Sequence, residues 1–271
     1  MNRIEQKFKT LKKDKQKAFI VFITAGYPNL GVTEKLVLEF AKIGVDIIEL
    51  GVPFSDPLAD GPIIQEASEV ALTKKTNLKA ILNLVKRVRK TTQIPICLMS
   101  YYNPIFCFDE KRFVKQARAC GVDGVIIPDL PPEEGRSFIK LARKFNLDTI
   151  FFLSPTSTPQ RIKMVSLVSK GFIYYVSLTG VTGVRKNLPT DLIANLKMIK
   201  RYTKKPVCVG FGISGPQHLK QIYKIADGAI VGSAIIKEIR SYIHKPDLAK
   251  RVARFILRLE KCITRKNSIT G

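Results

Sequence analysis

Eight short apolar runs divide this chain, and each is followed by a longer amphipathic stretch. The runs are "AFIVFITAG", "GVDIIELG", "IPICLMS", "VDGVIIPD", "LDTIFFLS", "GFIYYVSLTG", "KPVCVGFG" and "ADGAIVGS". Each has strand length, is rich in Val, Ile or Phe, and ends in Gly, Ser, Asp or Pro. Stretches such as "GVTEKLVLEFAKIG" and "DEKRFVKQARACG" lie between them, with apolar residues at helical spacing and a Gly after the last turn. Strand, helix, strand, repeated, predicts parallel strands joined by crossover helices. Eight units in 271 residues predict a (β/α)8 barrel, a fold that typically takes about 250 residues. The rival, an open doubly wound sheet, would carry a G-x-G-x-x-G turn after its first strand. Here the first run leads into "TAGYPNLG", which has no such turn.

No linker or low-complexity tract interrupts the pattern, so residues 1–271 are expected to form one barrel domain. Residues 1–14, centred on Ile4 to Leu11, predict an extra helix that caps the barrel bottom, and residues 263–271 a frayed tail. The N-terminus has no apolar h-region, and no run reaches the roughly 18 apolar residues of a membrane span. Cys97, Cys107, Cys120, Cys208 and Cys262 form no CxxC pair, and buried free thiols are expected. Together these features predict a cytoplasmic protein with no membrane partner.

The formal net charge is +24. A basic balance of this size raises the question of nucleic acid. The densest segments, Lys9 to Lys17 and Lys197 to Lys205, interleave no aromatic residues and match no reading motif. Elsewhere Lys and Arg lie on the polar faces of helix-like segments. The expectation is therefore solvated faces and no nucleic-acid partner, with some long-range attraction for anionic substrates.

In a barrel, chemistry sits at the C-terminal ends of the strands and in the loops that follow. There the second run closes on Glu49 and enters "LGVPFSDPLADGP". A lone carboxylate among apolar residues costs several kcal/mol unless it is paired or protonated. Desolvation would raise the pKa of Glu49 and let it give and take protons near neutrality. Asp60, in a polar loop flanked by Gly61, is expected to stay ionised. Two carboxyls in contrasting environments suggest a divided acid/base task. Asp129 ends the fourth run.

The later loops read as an anion site. "SLTGVTGV" follows the sixth run, "GFGISGP" the seventh, and "DGAIVGSAI" leads from the eighth into a helix with Ser233 at its start. Glycine lets the backbone approach an anion, and helix N-termini aim N–H groups at it. Barrels often build phosphate sites after their last two strands. Phe22, Tyr101, Phe152, Tyr174 and Phe211 would line the mouth, which suits a flat ring on a phosphorylated tail. No metal site suggests itself. His218 and His244 lie on helix-like segments and are expected at the surface.

At these residues the sequence resembles the tryptophan synthase α subunit family. "ELGVPFSDPLADGPIIQ" looks like the family signature, and "MSYYNPIF", "IPDLPPEE", "LSPTST", "YYVSLTGVTG" and "VGFGIS" follow in the family's order. The resemblance implies cleavage of indole-3-glycerol phosphate to indole and glyceraldehyde 3-phosphate. It implies Glu49 as general acid/base and Asp60 as its partner at the indole nitrogen. It implies that Gly183, Gly212, Gly232 and Ser233 hold the phosphate, and that Thr182 closes over Asp60. It also implies an α2β2 assembly in which the partner β subunit receives the indole and carries pyridoxal phosphate, with no cofactor in this chain. Some family members have a basic residue where this chain has Leu178. Other readings of the residues are an indole-releasing lyase without a β partner, another phosphate-binding biosynthetic barrel, or a nucleic-acid binder. The last would leave Glu49 unexplained.

Overall fold

The computed structural model describes residues 1–176, 190–210, 212 and 215–260. In chain order its elements are α1 (Arg3–Lys13), β1 (Ala18–Thr24), α2 (Leu30–Lys42), β2 (Ile47–Gly51), α3 (Pro62–Thr73), α4 (Leu78–Val88) and β3 (Ile96–Met99). Next come α5 (Tyr102–Phe108), α6 (Glu110–Cys120), β4 (Gly124–Ile126), α7 (Arg136–Lys144), β5 (Asp148–Ile150), β6 (Phe152–Leu153) and α8 (Pro159–Val168). The chain continues through β7 (Ile173–Val176), α9 (Thr190–Tyr202), β8 (Val207–Gly210), α10 (Pro216–Ile225), β9 (Gly228–Val231), α11 (Ser233–Ser241) and α12 (Leu248–Glu260).

All the strand pairs are parallel, and β1 lies between β2 and β9. The fifth apolar run is broken at Phe151: β5 pairs with β4, while β6 pairs with β7. The Phe151 carbonyl still accepts the Tyr174 N–H at 3.0 Å, so the eight predicted strands close a ring across the break. This is the (β/α)8 barrel of the sequence expectation.

Local chemistry sets the element ends. Asn2, Asn29, Asn77, Asp109 and Thr158 each accept a backbone N–H in the first turn of the helix that follows. Gly121 ends α6 in the left-handed region at φ 94°. Alternation in the strands separates two cores. Ile48, Leu50, Val21 and Ile23 face the helix ring. Ala18, Ile20, Ile47, Cys97, Ile126, Ile150, Cys208 and Ile230 fill the barrel. Beneath them α1 plugs the bottom with Ile4, Phe8 and Leu11; Phe8 lies 5.8 Å from the Phe172 ring.

Four strands are preceded or opened by an aspartate: Asp46, Asp123, Asp148 and Asp227. Asp123 is fully buried and takes charged contacts from Arg3 and Arg89, each at 2.9 Å, and from Arg118 at 3.6 Å. Asp46 accepts the Phe19 N–H, and Asp227 pairs with Lys17 and Lys200. The bottom of the barrel is thus an ion-paired end.

Two expectations are corrected here. His218, on α10, is buried rather than at the surface, because it lies on the inward face beside Leu219 and Ile222; His244 is exposed in a turn. Cys97 and Cys208 are buried thiols, but Cys107 is exposed on α5; Cys262 lies outside the described residues.

Candidate active site

The site is assembled from inward-facing residues at the upper ends of the strands. Glu49 is the third residue of β2, paired in register with Phe22 on β1 and Cys97 on β3. Its side of the strand is the barrel interior, shared with Ile47 below and Gly51 above. Glu49 is 0% exposed, and neither carboxyl oxygen has a hydrogen-bond partner among the described residues. Burial with no compensating donor pushes its pKa up to about 8. At neutral pH the group holds its proton.

Large rings surround it because glycines make room. A Cβ on Gly51 would come within 2.6 Å of the Phe22 ring, and one on Gly210 within 2.4 Å of the Tyr174 ring. Any side chain at either place would displace an aromatic from the mouth. Tyr174 is tilted against Phe152, with centroids 4.8 Å apart. Burial raises the Tyr174 pKa, as do the charges of Glu49 and Asp60, so this ring lies in the field of both carboxyls.

Asp60 hangs over the same mouth in the segment between β2 and α3. Its own N–H bonds the Pro57 carbonyl at 3.0 Å, and Gln65 Nε2 donates to its carbonyl at 2.8 Å. Gly61 and Pro62 then open α3, with proline in the first turn where an N–H has no partner to lose. The Tyr101 hydroxyl donates to Asp60 Oδ2 at 3.3 Å. The expectation of a polar setting is corrected: burial pushes the Asp60 carboxyl up to about 6, and the Tyr101 bond opposes that rise. It remains largely ionised at neutral pH.

The structure brings Phe22, Asp60 and Tyr101 together around a cleft that Thr24, Gly51, Val52, Ile64, Ser68 and Met99 complete. Thr24 was not singled out in the sequence. Its hydroxyl is buried with no hydrogen-bond partner among the described residues, at the upper end of β1; a polar residue just before the Ala-Gly that closes the first run was the available signal. Phe54, which stacks on Tyr101 at 5.1 Å, was also missed. Asp129 does not join the cleft. It is exposed, and its Oδ1 accepts the Tyr102 N–H at 2.8 Å, the first N–H of α5.

Of the anion-site residues, Gly212 is exposed and Gly232 immediately precedes Ser233, the first residue of α11. A Cβ on Gly212 would meet nothing within 4 Å, whereas one on Gly232 would lie 3.2 Å from Phe22. The same strand end therefore borders both the α11 N-terminus and the aromatic mouth. Leu178, Thr182, Gly183 and Phe211 lie outside the described residues. Among the described residues no cluster of three or more His, Cys, Asp or Glu is placed to hold a metal ion. No helix among them is long and apolar enough to cross a membrane.

Comparison with known proteins now bears on this geometry. The sequence profile of the family described as "Tryptophan synthase alpha chain" matches residues 8–264. The chain belongs to that family. Its tryptophan synthase alpha chain relatives include that of Geotalea uraniireducens, 48% identical over 260 residues, which are 96% of this chain and 97% of the relative. The Geobacter sulfurreducens alpha chain is 48% identical over 263 residues, 97% and 99% of the two chains. Among solved structures, tryptophan synthase subunit alpha from Legionella pneumophila superposes with a TM-score of 0.90 at 38% identity, covering 97% of this chain and 98% of that one. A Pyrococcus furiosus chain, from work on mutual activation of the tryptophan synthase α2β2 complex, gives 0.84 at 35% identity over 90% and 97%. Members of the tryptophan synthase alpha chain family are enzyme subunits, and the buried Glu49 lies within the profile match.

Proposed function

We propose that this chain cleaves indole-3-glycerol phosphate to indole and glyceraldehyde 3-phosphate, a carbon–carbon lyase reaction, as the α subunit of a tryptophan synthase. The observation that carries the reading is Glu49: a fully buried carboxyl with no hydrogen-bond partner among the described residues, protonated at neutral pH, at the mouth of a barrel.

The chemistry follows from that protonation state. Glu49 gives its proton to C3 of the indole ring, and the ring nitrogen becomes positive. The Asp60 carboxylate balances that charge across the cleft. The Glu49 carboxylate then takes the proton of the side-chain hydroxyl next to C3. As the hydroxyl becomes a carbonyl, the bond from C3 to the side chain breaks, and its electron pair returns to the ring to neutralise the nitrogen. Indole keeps the donated proton, glyceraldehyde 3-phosphate leaves, and Glu49 regains its proton. Phe22, Phe152 and Tyr174 would hold the ring, while Gly212, Gly232, Ser233 and, from the family resemblance, Gly183 would hold the phosphate. Thr182 would close over Asp60.

A β subunit would receive the indole and carry the pyridoxal phosphate; every step above uses side chains of this chain. The partner reading draws on the catalytic face, where Leu58 is 96% and Phe106 64% exposed on segments that follow β2 and β3. A partner that binds the closed arrangement better than the open one would raise activity by that difference. Indole release is expected to rise at least about tenfold with a cognate β subunit, within the usual range of coupling energies. Equal rates with and without the β subunit would leave a stand-alone lyase instead. No indole from indole-3-glycerol phosphate under either condition would end the reading.

A further inference from the structure

Tyr101 touches the Asp60 segment at three separate points. Its hydroxyl donates to Asp60 Oδ2 at 3.3 Å and accepts the Ala59 N–H at 2.8 Å, while its ring stacks on Phe54. The segment, residues 52–61, carries two prolines, Pro53 and Pro57, and an exposed Leu58. Its ends are tied by the Val52 N–H to the Met99 carbonyl and by Gln65 Nε2 to the Asp60 carbonyl, and between them it makes short turns, Leu58 N–H to Asp56 and Asp60 N–H to Pro57. Tyr101 itself is fixed. It lies two residues beyond Met99, the end of β3, and is the residue before α5. The first N–H of α5, on Tyr102, is held by Asp129 from beyond β4, and the Tyr102 hydroxyl donates to Glu110 on α6 at 2.9 Å.

We propose that Tyr101 is a positioning residue that holds the Asp60 carboxyl over the cleft, and that Asp129 acts through it by fixing the start of α5. The proposal deepens the functional reading above and rests on it. The physical reason is geometric. A carboxylate in a loop can balance a developing charge only if it waits in place, because misplacement of about 1 Å can lower a rate by roughly 10²-fold. The loop's own turns and the Gln65 bond to the Asp60 carbonyl hold the backbone and leave the carboxyl itself unheld. Tyr101 ties the two backbone ends of the problem, Phe54 early in the segment and Ala59 beside Asp60, to a rigid strand end. Among the described residues, the Tyr101 hydroxyl bonds Asp60 and the Tyr174 ring lies in its field, while the Asp129 charge acts on Tyr101.

Loss of the hydroxyl also removes the donor that favours the ionised form of Asp60. That makes the role separable from simple packing. Tyr101→Phe keeps the ring, its stack and the fold. Steady-state rates of indole release against pH, for wild type and Tyr101→Phe, are the first measurement. The acid limb is expected to move up by about one pH unit, so that the rate falls about fivefold near pH 6 and much less near pH 8. Titration of Asp60 by carboxyl-carbon NMR in the substrate-free protein should move in the same direction. Asp129→Ala should lower kcat by about threefold with KM little changed, and should add almost nothing in the Tyr101→Phe background. An acid limb and an Asp60 titration both unmoved in Tyr101→Phe would overturn the proposal. If instead the NMR titration moves and Asp60→Asn is fully active, the anchoring stands and the role of Asp60 in the reaction is what fails.

Discussion

Asp123, just before β4, and Glu49, in β2, are both fully buried carboxyls of one barrel, one strand apart, and they are treated in opposite ways. At the bottom, Asp123 is met by Arg3, Arg89 and Arg118 and also accepts the Ile96 N–H at 3.0 Å. Near the mouth, Glu49 is met by nothing that donates among the described residues. The first arrangement satisfies a charge; the second, among the described residues, supplies no donor, so that the group keeps its proton. A buried acid can thus be spent on architecture or on proton transfer, and the donors around it decide which.

The sharpest way to break this comparison is to neutralise each acid. Glu49→Gln is expected to lower indole release by at least about 10² to 10⁴, since the amide keeps the shape and cannot shuttle a proton. Its urea midpoint at neutral pH should match or exceed that of the wild type. Asp123→Ala should do the reverse. It leaves Arg89 buried and unpaired, a situation that typically destabilises by about 3 to 5 kcal/mol, while the folded fraction turns over normally. Retention of more than a tenth of wild-type turnover by Glu49→Gln would remove its catalytic assignment. Equal unfolding midpoints for Asp123→Ala and wild type would show that the bottom cluster is ornamental.

Asp60 stands between these extremes, half-buried with one side-chain donor. If its charge is what matters, Asp60→Asn should lose roughly 10²- to 10³-fold in kcat, the usual scale for one electrostatic group. Asp60→Glu keeps the charge and loses only placement, so it should rank above Asn. The opposite ranking would make Asp60 a structural residue.

The pH dependence sharpens the contrast further. Asp60 must be ionised and Glu49 protonated, so kcat/KM should be bell-shaped, with limbs near about 6 and about 8. Stability has its own sign. Below the ordinary value of 4.5 Glu49 is protonated whether the chain is folded or not, and above about 8 it is ionised in both states. In between, the folded protein keeps a proton that the unfolded chain has released, so stability falls as pH rises through that window. Glu49→Gln should remove this slope. Urea midpoints of wild type and variant, measured at about pH 5.5 and about pH 8.5, should converge at the lower value and separate at the higher, with the variant more stable. Parallel curves would contradict the protonated, unpartnered state of Glu49.

The barrel was legible because each apolar run carries its own period and its own terminators. The break at Phe151 was not: "LDTIFFLS" reads as one run, and only the switch of pairing partner from β4 to β7 divides it. Asp123 and Asp129 bracket the same run, "VDGVIIPD", and composition does not distinguish them. Strand direction does, since parallel strands put every first residue at the bottom and every last residue at the mouth. Even so, Asp129 bonds a helix start rather than entering the cleft. Glu49 could be found because an acid inside an apolar run is anomalous by itself. The link from Asp60 to Tyr101 could not, because it joins residues 41 apart. The burial of Asp60 went unread for the same reason.

The smallest expected effect concerns the anion end of the mouth, where two glycines look alike in sequence and differ in place. Gly212 is exposed, and a Cβ there meets nothing within 4 Å. Gly232 precedes the N-terminus of α11, and a Cβ there presses on Phe22 at 3.2 Å. A helix N-terminus favours an anion through its free N–H groups and its dipole, and a side chain in front of them blocks approach. Gly212→Val should therefore weaken glycerol 3-phosphate binding by about tenfold, comparable to the loss of one charge-assisted hydrogen bond, with kcat at saturating substrate little changed. Gly232→Val should weaken binding similarly and also lower kcat, because it moves the ring that packs over Gly51 beside Glu49. Calorimetric titration with glycerol 3-phosphate, set beside kcat for both variants, separates the two positions. Unchanged affinity in both would take these loops out of the site. A fall in kcat for Gly212→Val as large as that for Gly232→Val would mean that the phosphate and proton-transfer ends of the mouth are not independent, and that the separation of roles drawn between Glu49 and the anion site is too clean.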